Sequence, residues 1–218
     1  MIPLRDVIPY RTTPYITITI IFRNALAWLF EISLPHEVLN QFLTVYGVVP
    51  AYFSAPTLIT SMFLHGGWSH VIGNMWYLWI FGDNVEDRVG HGRFIVFYLL
   101  CGFAAALGQV AIDPTSTLPT IGASGAIAGV MGAYFVLYPQ SRVLTLIPLI
   151  VFWEIVELPA IFLLGFWFLM QLFSAGAIAA TANSQSGGVA FMAHVAGFIT
   201  GLVGVFVFRK REPDTRWV

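Results

Sequence analysis

Six long apolar runs constrain the fold of this chain more than any other feature. They cover residues 14–33, 69–85, 94–112, 121–138, 158–177 and 188–208. Each is close to the ~20 apolar residues that a helix needs to cross the hydrocarbon core of a bilayer. The chain is 58% hydrophobic and only 10% charged, whereas soluble domains carry about 25% charged residues. We therefore predict an all-α membrane protein, a six-transmembrane-helix bundle forming one domain.

The positive residues predict the orientation of this bundle. They are Arg5, Arg11, Arg23, Arg88, Arg93, Arg142, Arg209, Lys210, Arg211 and Arg216. With six spans, all but Arg23 fall in the two tails and in the second and fourth loops, so the positive-inside rule places both termini in the cytoplasm. We expect cytoplasmic tails over residues 1–13 and 209–218, around a membrane domain over residues 14–208. Arg23 lies within the first span, where its long side chain can reach the cytoplasmic interface.

The sequence also indicates where the protein is located and which kinds of partner it lacks. The first residues lack the apolar run and small-residue cleavage site of a signal peptide, so we expect none. The expected location is the plasma membrane of a prokaryote. A net charge of −1 without a basic block gives no reason to expect a nucleic-acid partner. The single cysteine, Cys101, excludes a multi-cysteine metal site and suits core packing.

The connections between the runs differ in character. The first loop, residues 34–68, is long, apolar and rich in aromatic residues, which predicts a structured element lying partly in the outer leaflet. Residues 82–93 suit an ordered cytoplasmic turn with a solvated His91. In the fourth loop, alternation at Val143, Thr145 and Ile147 indicates a short extended piece, and Glu154 and Glu157 suit helix-end charges. Residues 181–187 suit a mobile fifth loop.

Two of the predicted spans have faces made of small residues. Gly125, Gly129 and Gly132 share one face of the fourth span, just after Ser124. In the sixth span, Gly197 and Gly201 follow His194 at helical spacing. Small residues four apart let membrane helices approach closely. Both spans run inward from outer loops, so Ser124 and His194 are expected at a similar depth, near the outer surface.

The residues in this layer suit nucleophilic catalysis. A histidine can take the proton of a serine hydroxyl near neutral pH. Because no carboxylate is placed to orient His194, we predict a Ser–His dyad rather than a triad. The candidate donors for an oxyanion are the backbone N–H of Ser124 and the side chains of His70 and Asn74, which share a face of the second span. Gly122 permits the tight turn that exposes Ser124.

These motifs resemble the rhomboid family of intramembrane serine proteases. The resemblance is carried by Gly122-Ala-Ser-Gly125, by Ala193-His-x-x-Gly197-x-x-x-Gly201 and by His70-x-x-x-Asn74, with His65-Gly-Gly, Glu86-x-Arg88 and the long first loop. It implies cleavage in or near transmembrane segments of other proteins, with the fifth span and fifth loop as lateral gate and lid. The chain departs from some members at Ala128, where they have an aromatic residue that stacks on the histidine. It also lacks the Trp-Arg pair that many members have in the first loop.

Two other functions are alternatives to proteolysis for a membrane protein with this sequence. A non-catalytic rhomboid-like protein that binds or chaperones membrane helices is the main alternative, although such relatives usually lack the serine or the histidine. A small transporter with a midplane site is a further alternative, but no inverted repeat is visible. The sequence has no His-Glu-x-x-His motif, so we expect neither a catalytic metal nor a cofactor. The expected partners are transmembrane protein substrates and the lipid bilayer.

Overall fold

A computed structural model describes residues 1–148, 153–181 and 190–210 of the chain, as eight helices and one three-stranded sheet. The helices are α1 (Tyr15–Glu31), α2 (His36–Tyr46), α3 (Thr57–Thr60), α4 (Trp68–Val89), α5 (His91–Ile112), α6 (Ser124–Leu137), α7 (Ala160–Thr181) and α8 (Phe191–Phe208). The strands are β1 (Ile2–Asp6), β2 (Arg142–Pro148) and β3 (Trp153–Pro159).

Three of the described helices are long and apolar enough to cross a membrane: α5, α7 over Ala160–Ala177, and α8. The helix α6 is equally apolar but has only 14 residues. α1 has 17 residues, and α4 is interrupted by polar residues such as His70 and Asn74. The chain is therefore a predominantly helical integral membrane protein.

The helices α6 and α8 pack through their glycines. A Cβ atom built on Gly197 would lie 2.0 Å from the carbonyl oxygen of Gly125, which is far inside van der Waals contact. On another side of α6, a Cβ atom on Gly125 would lie 2.4 Å from the Cβ of Ala105 in α5. Only glycine allows these approaches, so the close contact predicted from the glycine spacing is confirmed.

The predicted turn over residues 82–93 is wrong. α4 continues to Val89, and α5 begins at His91, so Gly90, with a φ of 92°, alone separates the two helices. The charges in this stretch have partners that the sequence did not show. The carboxylate of Glu86 accepts hydrogen bonds from the backbone N–H groups of Ile16 and Thr17, at 3.0 and 2.8 Å. His91 is likewise not simply solvated, because its Nδ1 lies 2.5 Å from Glu86 Oε1.

The sheet corrects the all-α expectation. β2 and β3 form an antiparallel hairpin in which Arg142 pairs with Pro159, so the extended piece predicted from the alternation is confirmed. Glu154 and Glu157 lie on β3 and are not helix-end charges. Glu157 instead accepts a 3.1 Å hydrogen bond from Arg142.

The N-terminal strand β1 completes the sheet along the other edge of β2, where Ile2 pairs with Leu146. Side chains of the bundle bind it. Trp76 Nε1 donates a hydrogen bond to the carbonyl of Pro3, and the Tyr134 hydroxyl donates one of 2.7 Å to Asp6. The tail that was expected over residues 1–13 is thus an integral part of the fold.

The long first loop is structured, as predicted. It contains α2, α3 and two short 3₁₀ turns, at Pro50–Tyr52 and Ser61–Phe63. That this loop lies partly in the outer leaflet stays a prediction. The predicted mobile fifth loop, apart from Thr181, and residues 211–218 of the C-terminal tail are outside the described residues.

Candidate active site

The candidate nucleophile Ser124 is the first residue of α6. The turn before it contains Gly122, whose φ of 118° lies in a region that side chains with a Cβ rarely adopt. The backbone N–H of Gly122 donates a 2.8 Å hydrogen bond to the carbonyl of Ser61. The serine is therefore held at a fixed helix start, where free backbone N–H groups point away from the helix.

The candidate base His194 lies on α8 and is only 8% exposed. Its Nε2 is 2.8 Å from Ser124 Oγ. The structure thus brings together the two side chains that the small-residue faces predicted to meet. Since α6 and α8 touch through their glycine backbones, the positions of the two groups are set by the packing of two rigid helices.

A third side chain, Gln171 of α7, completes the environment of His194. Its Oε1 lies 2.8 Å from His194 Nδ1. An amide oxygen only accepts hydrogen bonds, so Nδ1 carries the proton and Nε2 is left to accept the proton of Ser124. Gln171 was not among the site residues predicted from the sequence. An available signal was that it is the only charged or amide residue in Ala160–Ala177, since a polar side chain in a membrane helix usually has a polar partner.

His70, predicted as an oxyanion donor, faces the turn before Ser124. A Cβ atom built on Gly122 would lie 2.7 Å from His70 Nε2. The other ring nitrogen, Nδ1, accepts a 3.3 Å hydrogen bond from the backbone N–H of Gly66. In the neutral ring the proton therefore lies on Nε2, the nitrogen that faces the turn.

Asn74, the second predicted donor, is held by groups outside its own helix. Its Nδ2 donates a 3.0 Å hydrogen bond to Nε2 of His65, and the backbone N–H of His65 donates one of 3.0 Å to Glu31 at the end of α1. One Nδ2 hydrogen of Asn74 remains for a ligand. Burial lowers the pKa of His65 to about 4, with a contribution from His70, so this ring is a neutral acceptor at pH 7.

The arrangement of these groups suits acyl transfer to a serine. The candidate nucleophile and the candidate base are in hydrogen-bond contact, and candidate donors for an oxyanion lie beside the serine. A cavity of about 30 Å³ next to Ser124 has room for a water molecule. Within the described ranges, no three His, Cys, Asp or Glu side chains are grouped to bind a metal ion.

The chain is similar in sequence to a known protein family over most of its length. The family model for the Rhomboid domain matches residues 53–211. The chain is 27% identical over 201 residues to "Rhomboid-like protein 11, chloroplastic" of Arabidopsis thaliana, covering 86% of this chain and 66% of that protein. It is 33% identical over 127 residues to "Putative rhomboid protease YdcA" of Bacillus subtilis, covering 57% of this chain and 62% of that protein.

A third relative is "RHOMBOID-like protein 6, mitochondrial" of Arabidopsis thaliana, 30% identical over 160 residues that cover 73% of this chain and 45% of that protein. The chain thus spans between about half and two thirds of the length of these curated relatives. Two of these relatives are named chloroplastic and mitochondrial and the third comes from a bacterium, so they do not support the predicted prokaryotic plasma membrane over another membrane.

Proposed function

Because the chain belongs to the rhomboid family, we propose that it is an intramembrane serine endopeptidase that cleaves peptide bonds in or near transmembrane segments of other membrane proteins. The observation that carries this proposal is the 2.8 Å contact between Ser124 Oγ and His194 Nε2. Both groups belong to apolar helices, so the reaction would take place below the membrane surface.

The proposed mechanism is acyl transfer through a Ser–His dyad. His194 Nε2 takes the proton of Ser124 as Oγ attacks the substrate carbonyl, and the imidazolium then protonates the leaving amine. The oxyanion accepts hydrogen bonds from His70 Nε2, Asn74 Nδ2 and the backbone N–H of Ser124. A water molecule activated by the same histidine then hydrolyses the acyl-enzyme.

The proposed topology has six spans: α1, α4, α5, α6, α7 and α8, within a peptidase domain over residues 14–208. The end of the bundle opposite to Ser124 collects the basic residues. The backbone N–H of Lys210 donates a 2.9 Å hydrogen bond to the carbonyl of Arg88, and Arg93 donates one to Val207. This grouping supports a cytoplasmic location for that end and for both termini. Substrate would reach Ser124 from the opposite side, with α7 as lateral gate.

The test is activity of the full chain in liposomes. We expect wild type to cleave a co-reconstituted single-span protein and to react covalently with a fluorophosphonate probe at Ser124. Ser124→Ala and His194→Ala should each abolish cleavage, while Ser69→Ala and His36→Ala, at exposed positions, should retain it. Cleavage by purified Ser124→Ala would overturn the assignment. Helix binding without cleavage by wild type would favour the non-catalytic alternative.

A further inference from the structure

We propose that Gln171 is a positioning residue for the candidate base, and that α7 thereby forms part of the catalytic apparatus. The inference rests on the proposed function, because it assigns a role relative to His194 as base. In this role, the amide oxygen of Gln171 selects one tautomer and one ring orientation of His194.

The hydrogen bond at His194 Nδ1 determines what Nε2 can do. With Nδ1–H donated to Gln171 at 2.8 Å, Nε2 has a free lone pair directed at Ser124. Without this acceptor, a neutral ring would either bury an unpaired N–H or move its proton to Nε2. The second outcome removes the base, because a protonated Nε2 cannot accept the serine proton.

A second contact from the same helix restrains the plane of the ring. Trp167 precedes Gln171 by four residues, so the two side chains share a face of α7. The ring centroid of Trp167 lies 5.7 Å from that of His194, at an interplanar angle of 36°. Ala128 offers no aromatic ring to stack on the histidine, and Trp167 packs against the imidazole from α7 instead.

The helix α7 is itself held against α8 by aromatic packing next to the histidine. Phe198, four residues after His194, stacks on Phe168 with ring centroids 4.6 Å apart and 24° between planes. It also contacts Trp167 at 6.2 Å. The contacts that hold α7 against α8 therefore lie next to those that orient His194. A displacement of α7 would remove both the Gln171 hydrogen bond and the Trp167 ring contact from the candidate base.

The neutral character of Gln171 makes the role testable. The titratable group that acts on His194 by its charge is His70 of α4. The direct hydrogen-bond partners of His194 are Ser124 and Gln171, and neither is charged. A glutamate at position 171 would keep an acceptor for Nδ1–H but add a negative charge that stabilises the imidazolium. A leucine would remove the acceptor at similar volume.

The experiment compares Gln171→Leu and Gln171→Glu with Gln41→Leu, a matched change at an exposed position of α2. We expect Gln171→Leu to lower kcat by about 10–100-fold and to leave KM unchanged. This loss is a part of the ~10²–10⁴-fold rate enhancement that a positioned general base supplies. Gln171→Glu should regain most of kcat and lose activity at higher pH than wild type on the acid limb. Gln41→Leu should match wild type.

A spectroscopic measurement tests the inference independently of cleavage. In full-length protein with ¹⁵N-labelled histidine, the signal of His194, assigned by its loss in His194→Ala, should report the Nδ1–H tautomer. In Gln171→Leu it should move toward Nε2–H. An Nε2–H tautomer in wild type, or unchanged kcat and pH profile in both Gln171 variants, would overturn the role of Gln171 and leave the Ser–His proposal standing. Wild type without cleavage or labelling would instead refute the proposed function.

Discussion

A Cβ atom placed on Gly201 would lie 1.8 Å from the carbonyl oxygen of Gly129, so the backbones of α8 and α6 are in direct contact at this point. Ser124 and His194 lie on the same two helices, toward one end of the bundle. The alignment of the two candidate catalytic groups therefore depends on the absence of side chains at a crossing that neither group touches.

Adding a methyl group at this crossing should destabilise the fold. We expect Gly201→Ala to lower the free energy of unfolding by at least about 1–3 kcal/mol, the usual cost of overpacking, because the obstructing atom is backbone and cannot rotate away. Gly73→Ala in α4 is the matched control, since its Cβ would meet nothing within 4 Å. Unfolding of both variants in detergent micelles measures the difference, and equal stability would contradict the packing described.

The carboxylate of Glu86 should contribute strongly to stability, since it is fully buried and accepts hydrogen bonds from two backbone N–H groups at the start of α1. We expect Glu86→Ala to cost about 2–3 kcal/mol, as for hydrogen bonds to a buried charged group. Glu37→Ala, at an exposed position of α2, should stay within about 0.5 kcal/mol of wild type. Chemical denaturation gives both values, and a Glu86→Ala protein as stable as the control would refute the capping role.

Stability should fall on mild acidification because of His65. Burial lowers the pKa of this ring to about 4 from 6.5, so between these values the unfolded chain binds more protons than the folded one. The contribution of the neutral His65 ring to the free energy of unfolding is then fully present above pH 6.5. It is lost as the pH falls toward 4, and the loss reaches about 3 kcal/mol. Melting temperatures of wild type and His65→Gln between pH 4 and 7 test this, and the variant should lack this part of the slope. Parallel curves would contradict the assignment.

Asn74 should affect turnover more than substrate binding. We expect Asn74→Ala to lower kcat by about 10²–10³-fold, the usual loss for one oxyanion donor, with a nearly unchanged KM. Asn40→Ala in α2, at an exposed position, serves as control. Steady-state cleavage of a transmembrane substrate separates the two constants. A rise in KM alone would show that Asn74 binds substrate without stabilising the transition state.

The Ser124–His194 pair was predictable because its signal is local and physical. Each group stands beside a run of glycines at helical spacing, and two such faces in a membrane pack against each other. The Gly122 turn was predictable for a similar reason, since few other residues adopt its φ. His70 and Asn74 were predictable from their four-residue spacing on one face of a membrane helix, and the structure places them at the same end of the bundle as Ser124.

Other features depend on contacts that sequence spacing does not specify. Gln171 could be noticed as a polar residue in an apolar helix, but its partner depends on the rotation of α7 against α8. The predicted turn at residues 82–93 was wrong because its glycines and charges are typical of a loop, whereas Glu86 is buried against the start of α1. β1 was missed because a five-residue strand with a distant partner has no periodic signal of its own.

The pairing of β1 with β2 has a consequence for the order of assembly. Ile2 pairs with Leu146, so residues 2–6 cannot reach their final neighbours until the helices that separate the two strands, among them α1, α4, α5 and α6, have been synthesised. The strand β1 must therefore stay unpaired while these helices are inserted. Bulky insertions beside β1 should accordingly interfere with a late step of maturation rather than with early insertion.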